Sequence, residues 1–356
     1  MAAVLACNSR SVLAQDAQPA APPVSSNWLF NAEFDGYGSW NSNRPASGVN
    51  ALRFFDTQAD GFQLNAAALT AEYKGDKFGF HLEGGYGNVF SSLGALDPWR
   101  GVNQYIMQAY ATYRPIEGNA LQIDVGKFYT SVGAEVPDAL SDFNYSRSLA
   151  FTLGEPDYHL GIRASIPVTK DFTAGVQLLD GVNDVSSRNH GRMLGLTSTL
   201  TKKKWAWNQV WITGTERSQN LPAYRNLVNE VLTVTPSASV EGYFELLYGH
   251  EGQSAIPSSR WYGAAISMRW HASKKLSFSP RFEYFGDPSG FTSKTPQLLH
   301  EFTMTGEYKF HPMVTGRCEF RRDSSDRDFF ESGSSRLSRS QETFLIALLI
   351  DWKKDH

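Results

Sequence analysis

Glu135, Asp138, Asp142 and Arg147 crowd into residues 131–157, a stretch with turn formers and no regular apolar period. Arg163, Arg269, Arg281, Arg317 and Arg321 sit instead at alternating positions of period-two runs, so each projects from one side of an extended segment. Acids on a projecting segment facing bases on a wall would set a field across the gap between them, ordering water and polar solutes and sorting ions. These nine residues are the candidate functional set. In the competing reading the segment lies outside the fold and its charges are simply solvated.

Other chemistry is poorly supplied. The chain has eight His, but His81, His159, His300 and His311 are scattered without metal-ligand spacing. It holds no Gly-x-Ser-x-Gly elbow, no His-Glu-x-x-His and no phosphate-cradling loop. Catalytic, cofactor and metal sites are therefore not expected. A net charge of -3 gives no basic footprint for nucleic acid.

The elements that must position the charges read as strands. The composition is rich in turn formers and aromatics, with 30 Gly, 15 Tyr, 23 Phe and 9 Trp. Phe302, Met304, Gly306, Tyr308 and Phe310 alternate with Glu301, Thr303, Thr305, Glu307 and Lys309; Gly316, Cys318 and Phe320 alternate with Arg317, Glu319 and Arg321. Leu276, Phe278, Phe282 and Tyr284 alternate likewise with Arg281 and Glu283, and Leu160 and Ile162 with Arg163. Sixteen such segments begin near Trp28, Gly61, Lys77, Asn103, Ala120, Tyr158, Asp171, Gly191, Trp205, Asn226, Ser239, Arg260, Lys275, Leu298, Met313 and Ser340. Their connections alternate between short, as at 74–76, 169–170 and 311–312, and long, as at 39–60, 91–102, 131–157, 287–297 and 324–339.

Mean hydropathy is -0.35, and the longest apolar run, 344–350, falls far short of the roughly 18 residues of a membrane helix. A membrane strand needs only about 9 to 11 residues with one greasy face, and a chain of such strands shows this rhythm of short and long connections. In hydrocarbon, extended backbone satisfies its hydrogen bonds only by closing into a barrel. The expected fold is all-β: one transmembrane antiparallel barrel over residues 27–356, with short periplasmic turns and long external loops. Sixteen strands enclose more space than side chains fill, leaving a water-filled lumen in which the inward charges stay hydrated. Tyr105, Tyr113, Tyr248, Trp270, Tyr308 and Trp352 fit interfacial girdles. The segment 61–73 alternates poorly, Pro280 interrupts a strand, and Glu230 falls on the lipid face while Gln209 shares a face with Trp205, Trp207 and Trp211, which leaves the eighth to tenth strands unsettled. Residues 1–26 read as the remnant of a signal peptide followed by an Ala- and Pro-rich segment.

The run Val125-Gly126-Lys127-Phe128-Tyr129-Thr130, then Gly133-Ala134-Glu135, Asn144-Tyr145-Ser146-Arg147-Ser148, Pro156 and His159-Leu160-Gly161-Ile162-Arg163 resembles the OmpL-like beta-barrel porin-2 family. The resemblance is specific over these residues and looser from Trp28 to Trp352. It implies a bacterial outer-membrane porin passing small hydrophilic solutes and ions by passive diffusion, with membrane lipid around it and, by analogy with large porins, a homotrimer. Two alternatives stay open: a plugged, structural or adhesive barrel that binds a partner through its loops, and a channel selective for a sugar or organic anion, with Tyr243, Trp261 and Phe285 stacking on rings.

Overall fold

The computed structural model describes residues 27–96, 101–116, 120–183, 192–218, 221–253 and 256–355; the expected leader, 1–26, lies outside them. Strands β1 (Trp28–Asn41), β2 (Gly61–Lys74), β3 (Phe78–Tyr86), β4 (Ile106–Tyr113), β5 (Gln122–Tyr129), β6 (Tyr158–Pro167), β7 (Phe172–Leu179) and β8 (Met193–Lys202) form one half of the wall. The other half is β9 (Trp205–Ser218), β10 (Leu221–Ser237), β11 (Val240–Gln253), β12 (Ile256–His271), β13 (Leu276–Asp287), β14 (Gln297–His311) and β15 (Val314–Ser325). A two-stranded hairpin, β16 (Phe330–Ser332) and β17 (Arg336–Ser338), stands in the following external loop, and β18 (Ser340–Asp355) completes the wall. Sixteen strands pair antiparallel in chain order into a closed barrel, and β1 meets β18 from Leu29↔Asp355 to Asn41↔Thr343. No described helix is long and apolar enough to cross a membrane.

The alternation read from the sequence is the alternation of the wall. Along β14, Glu301, Thr303, Thr305 and Glu307 are buried inside, while Met304, Tyr308 and Phe310 stand exposed on the outer surface. The girdle residues Tyr105, Tyr113, Tyr248, Trp270, Tyr308 and Trp352 are all exposed.

Each poor fit has a local cause. In β2 the register to β1 shifts between Asp35 and Gly36 because Asn65 is an extra residue, so the two halves of β2 alternate out of phase. Asn65 turns in and donates from Nδ2 to Asp35 at 2.6 Å. At Pro280, which has no N–H, the ladder between β12 and β13 skips from Ser267↔Arg281 to Trp270↔Phe278. Trp205, Trp207 and Trp211 are exposed on the outer wall, and Ala206, Asn208, Val210 and Ile212 are buried inside, which fixes the facing of β9. The second external connection departs from period-two reading at 88–96, where Asn88–Leu96 forms helix α1 and lays Val89, Phe90 and Leu93 against the inner wall. A 3-10 turn at Val102–Tyr105 delays β4 to Ile106.

The expectation of a uniformly hydrated interior is corrected. Phe128, Leu179, Ile212, Leu247, Trp261, Phe285 and Leu299 pack with Val132 and Leu149 of the long loop into a buried apolar cluster inside the barrel. Arg281, Arg317 and Arg321 are 0%, 2% and 1% exposed, so these inward charges contact protein rather than water. The lumen contains a folded loop.

Candidate functional site

Residues 131–157 run from the end of β5 into the lumen and back to β6, and their contacts reach the wall on several sides. On the first pass Ser131 receives a hydrogen bond from Gln177 of β7 at 2.5 Å, and the Gly133 amide donates to Asn229 of β10 at 3.0 Å. Gly133 has φ +93°, and a Cβ there would strike the Glu155 carboxylate on the returning arm, so glycine lets the two arms approach. Ala139 and Leu140 then pack with Tyr37 of β1 and with Leu345, Ala347 and Leu349 of β18. The Tyr145 hydroxyl donates to Asp35 of β1 at 2.7 Å.

The opposite wall holds the loop by its backbone. Glu319 of β15 accepts from the amides of Tyr145 (2.6 Å) and Ser146 (3.0 Å), and Glu283 of β13 from that of Leu149 (2.7 Å). Arg317 donates to the carbonyls of Ala139 (2.6 Å), Asp142 (2.9 Å) and Asn144 (3.2 Å), and Arg321 to that of Arg147. Arg281 reaches the Ser146 carbonyl at 2.8 Å and the Glu135 carboxylate at 2.6 Å. Arg269 donates to the Asp142 carbonyl and lies 4.7 Å from the Phe143 ring centroid. Arg147 folds the loop on itself, donating to the carbonyls of Val136 (2.7 Å), Tyr145 (2.6 Å) and Pro137 (2.9 Å), with Asp142 at 3.0 Å. Charge-assisted bonds to otherwise unsatisfied backbone give an irregular segment a fixed shape within the barrel.

Two acids near the return to β6 carry no cation in these contacts. Burial, and next the carboxylate of Glu245 on the wall, push Glu155 well above the usual carboxylate range. Burial raises Asp157 to about 8, against the opposing effect of its hydrogen bond from Asn183 at 2.9 Å.

Beside the loop tip, a void of about 30 Å³ separates Pro137, Asp138, Ala139 and Leu140 from the wall. Glu33 and Asp35 of β1 and Glu83 of β3 line it together with Asp138. Glu33, Glu83 and Asp138 are only half-buried. Asp138 is turned onto its own loop, accepting from the Leu140 amide at 2.9 Å and the Ser141 hydroxyl at 2.7 Å.

The family model for beta-barrel porin-2, OmpL-like, matches residues 29–351, nearly the whole chain. The chain belongs to this family. It is a porin, a channel protein of the bacterial outer membrane. Among curated proteins no sequence matches it. Its fold is similar to that of an anion-selective porin from Comamonas acidovorans, with a TM-score of 0.65 at 9% identity, covering 92% of this chain and 100% of the other. The outer membrane channel DcaP of Acinetobacter baumannii gives 0.64 at 10% identity, over 91% and 97% of the two chains. OmpT of Vibrio cholerae in its trimer form gives 0.62 at 10%, over 91% and 99%.

In this porin most of the nine expected residues do meet, but in another relation than expected. Glu135, Asp142, Arg147, Arg269, Arg281, Arg317 and Arg321 join in one buried network between loop and wall, in contact rather than opposed across water. Arg147 belongs to the loop's interior. Arg163 lies apart, bound to Asp124 at 2.9 Å and stacked 4.4 Å from the Phe128 ring centroid. Asp138 alone of the nine lines the void. Tyr243, Trp261 and Phe285 face inward as expected but are buried beneath the loop, where the Trp261 indole donates to the Gly154 carbonyl at 3.0 Å, so they offer no open ring for a sugar. Sequence reasoning missed Glu33 and Asp35, although Asn31, Glu33 and Asp35 alternate with Phe30, Ala32 and Phe34 in the same pattern that marked the later strands.

Proposed function

We propose that this porin favours cations, conducting them through the gap between the loop tip and the β1–β3 wall, and that the loop restricts passage to small ions and small hydrophilic solutes. The observation that carries this is the separation of charge. Glu33, Asp35, Glu83 and Asp138 are the charged residues that line the void, among apolar neighbours such as Val89, Phe90 and Leu349, whereas Arg281, Arg317 and Arg321 are buried in loop contacts on the other side. Lys353, near the inner end of β18, is paired with Asp351. Carboxylates at a neck concentrate cations and repel anions. The chain works as a channel rather than an enzyme and as a homo-oligomer, a reading that the trimer form of the similar OmpT supports.

Reversal potentials across planar bilayers under a potassium chloride gradient test the proposal. A potential of the sign set by potassium is expected; one set by chloride overturns it. A second reading has one observation in its favour, namely that the loop touches β1, β7, β10 and the β13–β15 wall at once. In that reading the loop is a plug. Absence of conductance steps in bilayers would establish it, and liposome swelling with solutes graded by size would give the cutoff of an open neck.

A further inference from the structure

The first external connection does not stand outside the barrel. Between β1 and β2, Asn50, Arg53, Phe55, Asp56 and Ala59 are all buried. Arg53 pins the segment to the wall: its guanidinium lies 3.1 Å from Asp56 in the same segment and 3.0 Å from Asp323 of β15, and it donates to the Thr343 hydroxyl of β18 at 2.8 Å. Gln341 of β18 adds a bond to the Ala51 carbonyl at 2.7 Å, and Asn41 of β1 donates to Asn50 at 2.8 Å. Within the segment Val49 bridges Gln58, and the Ala59 amide donates to the Gly48 carbonyl at 2.9 Å. Residues 49–58 are thus a compact loop with its ends closed, able to move as one body.

This loop lies directly outward of the neck. Glu33 and Asp35 line the void from β1, and Tyr37 is the next inward residue towards the external end. Its hydroxyl accepts from the Gln58 amide at 3.2 Å and donates to the Phe55 carbonyl at 3.5 Å. Phe55 packs with Val89 and Phe90 of α1, which themselves line the void. The Phe55 ring also lies 5.8 Å from that of Phe151 in the long loop and 5.3 Å from the Arg147 guanidinium carbon. An ion between the void and the outside meets aromatic rings and a cation there, and apolar constrictions hold ions back by excluding water.

Both ends of the loop are built to bend. Gly48 has φ +69° and Gly61 φ +112°, and among the described residues a Cβ at either would meet nothing within 4 Å. Before Gly48 the chain is fixed to the outer hairpin, where the Gly333 amide donates to the Asn43 carbonyl at 2.9 Å and the Ala46 amide to the Gly333 carbonyl at 3.1 Å. Inside the loop Leu52 holds φ +56°, a conformation that side chains disfavour and that the seated contacts maintain.

We infer that 49–58 is a strap over the external side of the neck, a second barrier in series with the loop tip, and that Arg53 is the positioning residue that keeps it seated. The strap acts on conduction through the gap beside β1–β3, and so rests on the path proposed above. The acids of the neck choose the ion; the strap sets how fast it passes.

The test uses the full chain in planar bilayers under a potassium chloride gradient. Arg53→Ala/Asp56→Asn removes the pin without changing the net charge. Unitary conductance is expected to rise at least twofold with the reversal potential unchanged. In a chain carrying Cys7→Ser, Cys318→Ser and Ala59→Cys, a membrane-impermeant thiol reagent added from outside is expected to react at least fivefold faster once the pin is removed, because position 59, buried in the seated loop, comes free with the strap. Unchanged labelling shows that Arg53 does not hold the strap, and faster labelling at unchanged conductance shows that the strap is no barrier. With a wild-type potential set by potassium, either result overturns the strap alone, as does a reversal potential that shifts on removing the pin. A wild-type potential set by chloride overturns the cation path and the strap's place on it together. Retained heat-modifiable migration on gels shows that the double variant folds; if it does not fold, Gln341→Leu, which frees the Ala51 carbonyl, decides by the same two readouts.

Discussion

On the β13–β15 wall, Arg281, Arg317 and Arg321 are buried and every one of them binds a backbone carbonyl of the long loop. On the β1–β3 wall, Glu33 and Glu83 stay half-buried and border an unfilled space. Both walls alternate charged and apolar residues in the same way, so alternation tells which face a residue takes and not what it meets there. The difference comes from the loop, which leans towards the arginines because its carbonyls need donors and its Glu135 needs a cation.

The sharpest way to break this contrast is Arg281→Ala. It strips the cation from Glu135 and Glu283 and leaves Glu301 with Arg321 alone, and losing one partner of a buried pair costs about 3–5 kcal/mol. We expect the loop to leave its seat, with larger single-channel steps and new protease cleavage within 131–157; unchanged conductance and a protected loop would mean that the arginine wall does not hold it. Glu33→Gln combined with Asp138→Asn acts on the other wall. The cation preference in reversal-potential measurements should fall severalfold while solute cutoff in liposome swelling stays put, whereas a larger cutoff would show that these acids also position the loop.

Proton uptake distinguishes the two walls next. Asp157 titrates from 3.8 in a released loop to about 8 when seated, so the seated loop binds more protons between those values and its seating weakens as pH rises through them. Glu155 is displaced in the same direction. Conductance should therefore climb from pH 5 to pH 8, and a fall over that range would contradict the assignment. A smaller effect is expected from Tyr145→Phe, which removes the one hydroxyl joining the loop to Asp35 and costs about 1–2 kcal/mol; open-channel noise should increase with selectivity unchanged. Arg163→Ala should leave both conductance and selectivity as they are, because its partner Asp124 lies away from the void, and an altered reversal potential would bring that wall back into the neck.

Much of the barrel was legible because lipid outside and charge inside impose a period of two, clearest along β14, β15 and β18. It failed in β2, where a single inserted residue, Asn65, reverses the phase, and at 88–96, where a helix lines the inner wall. The long third loop and its acids were also legible, from length and position. Their partners were not: Glu135 meets Arg281 and Tyr145 meets Asp35 across more than a hundred residues of sequence, and no local pattern encodes which wall a loop will lie against. The void depends on that same choice, which is why Glu33 and Asp35 passed unnoticed.

The pairing of β1 with β18 has a bearing on biogenesis. Until the last segment is delivered, the growing wall is an open ribbon with two bare rims of amides and carbonyls, a state that hydrocarbon does not tolerate and that invites pairing with stray chains. The first strand must therefore be sheltered until the last one arrives, so truncation near the C-terminus should block insertion outright rather than yield a leakier barrel.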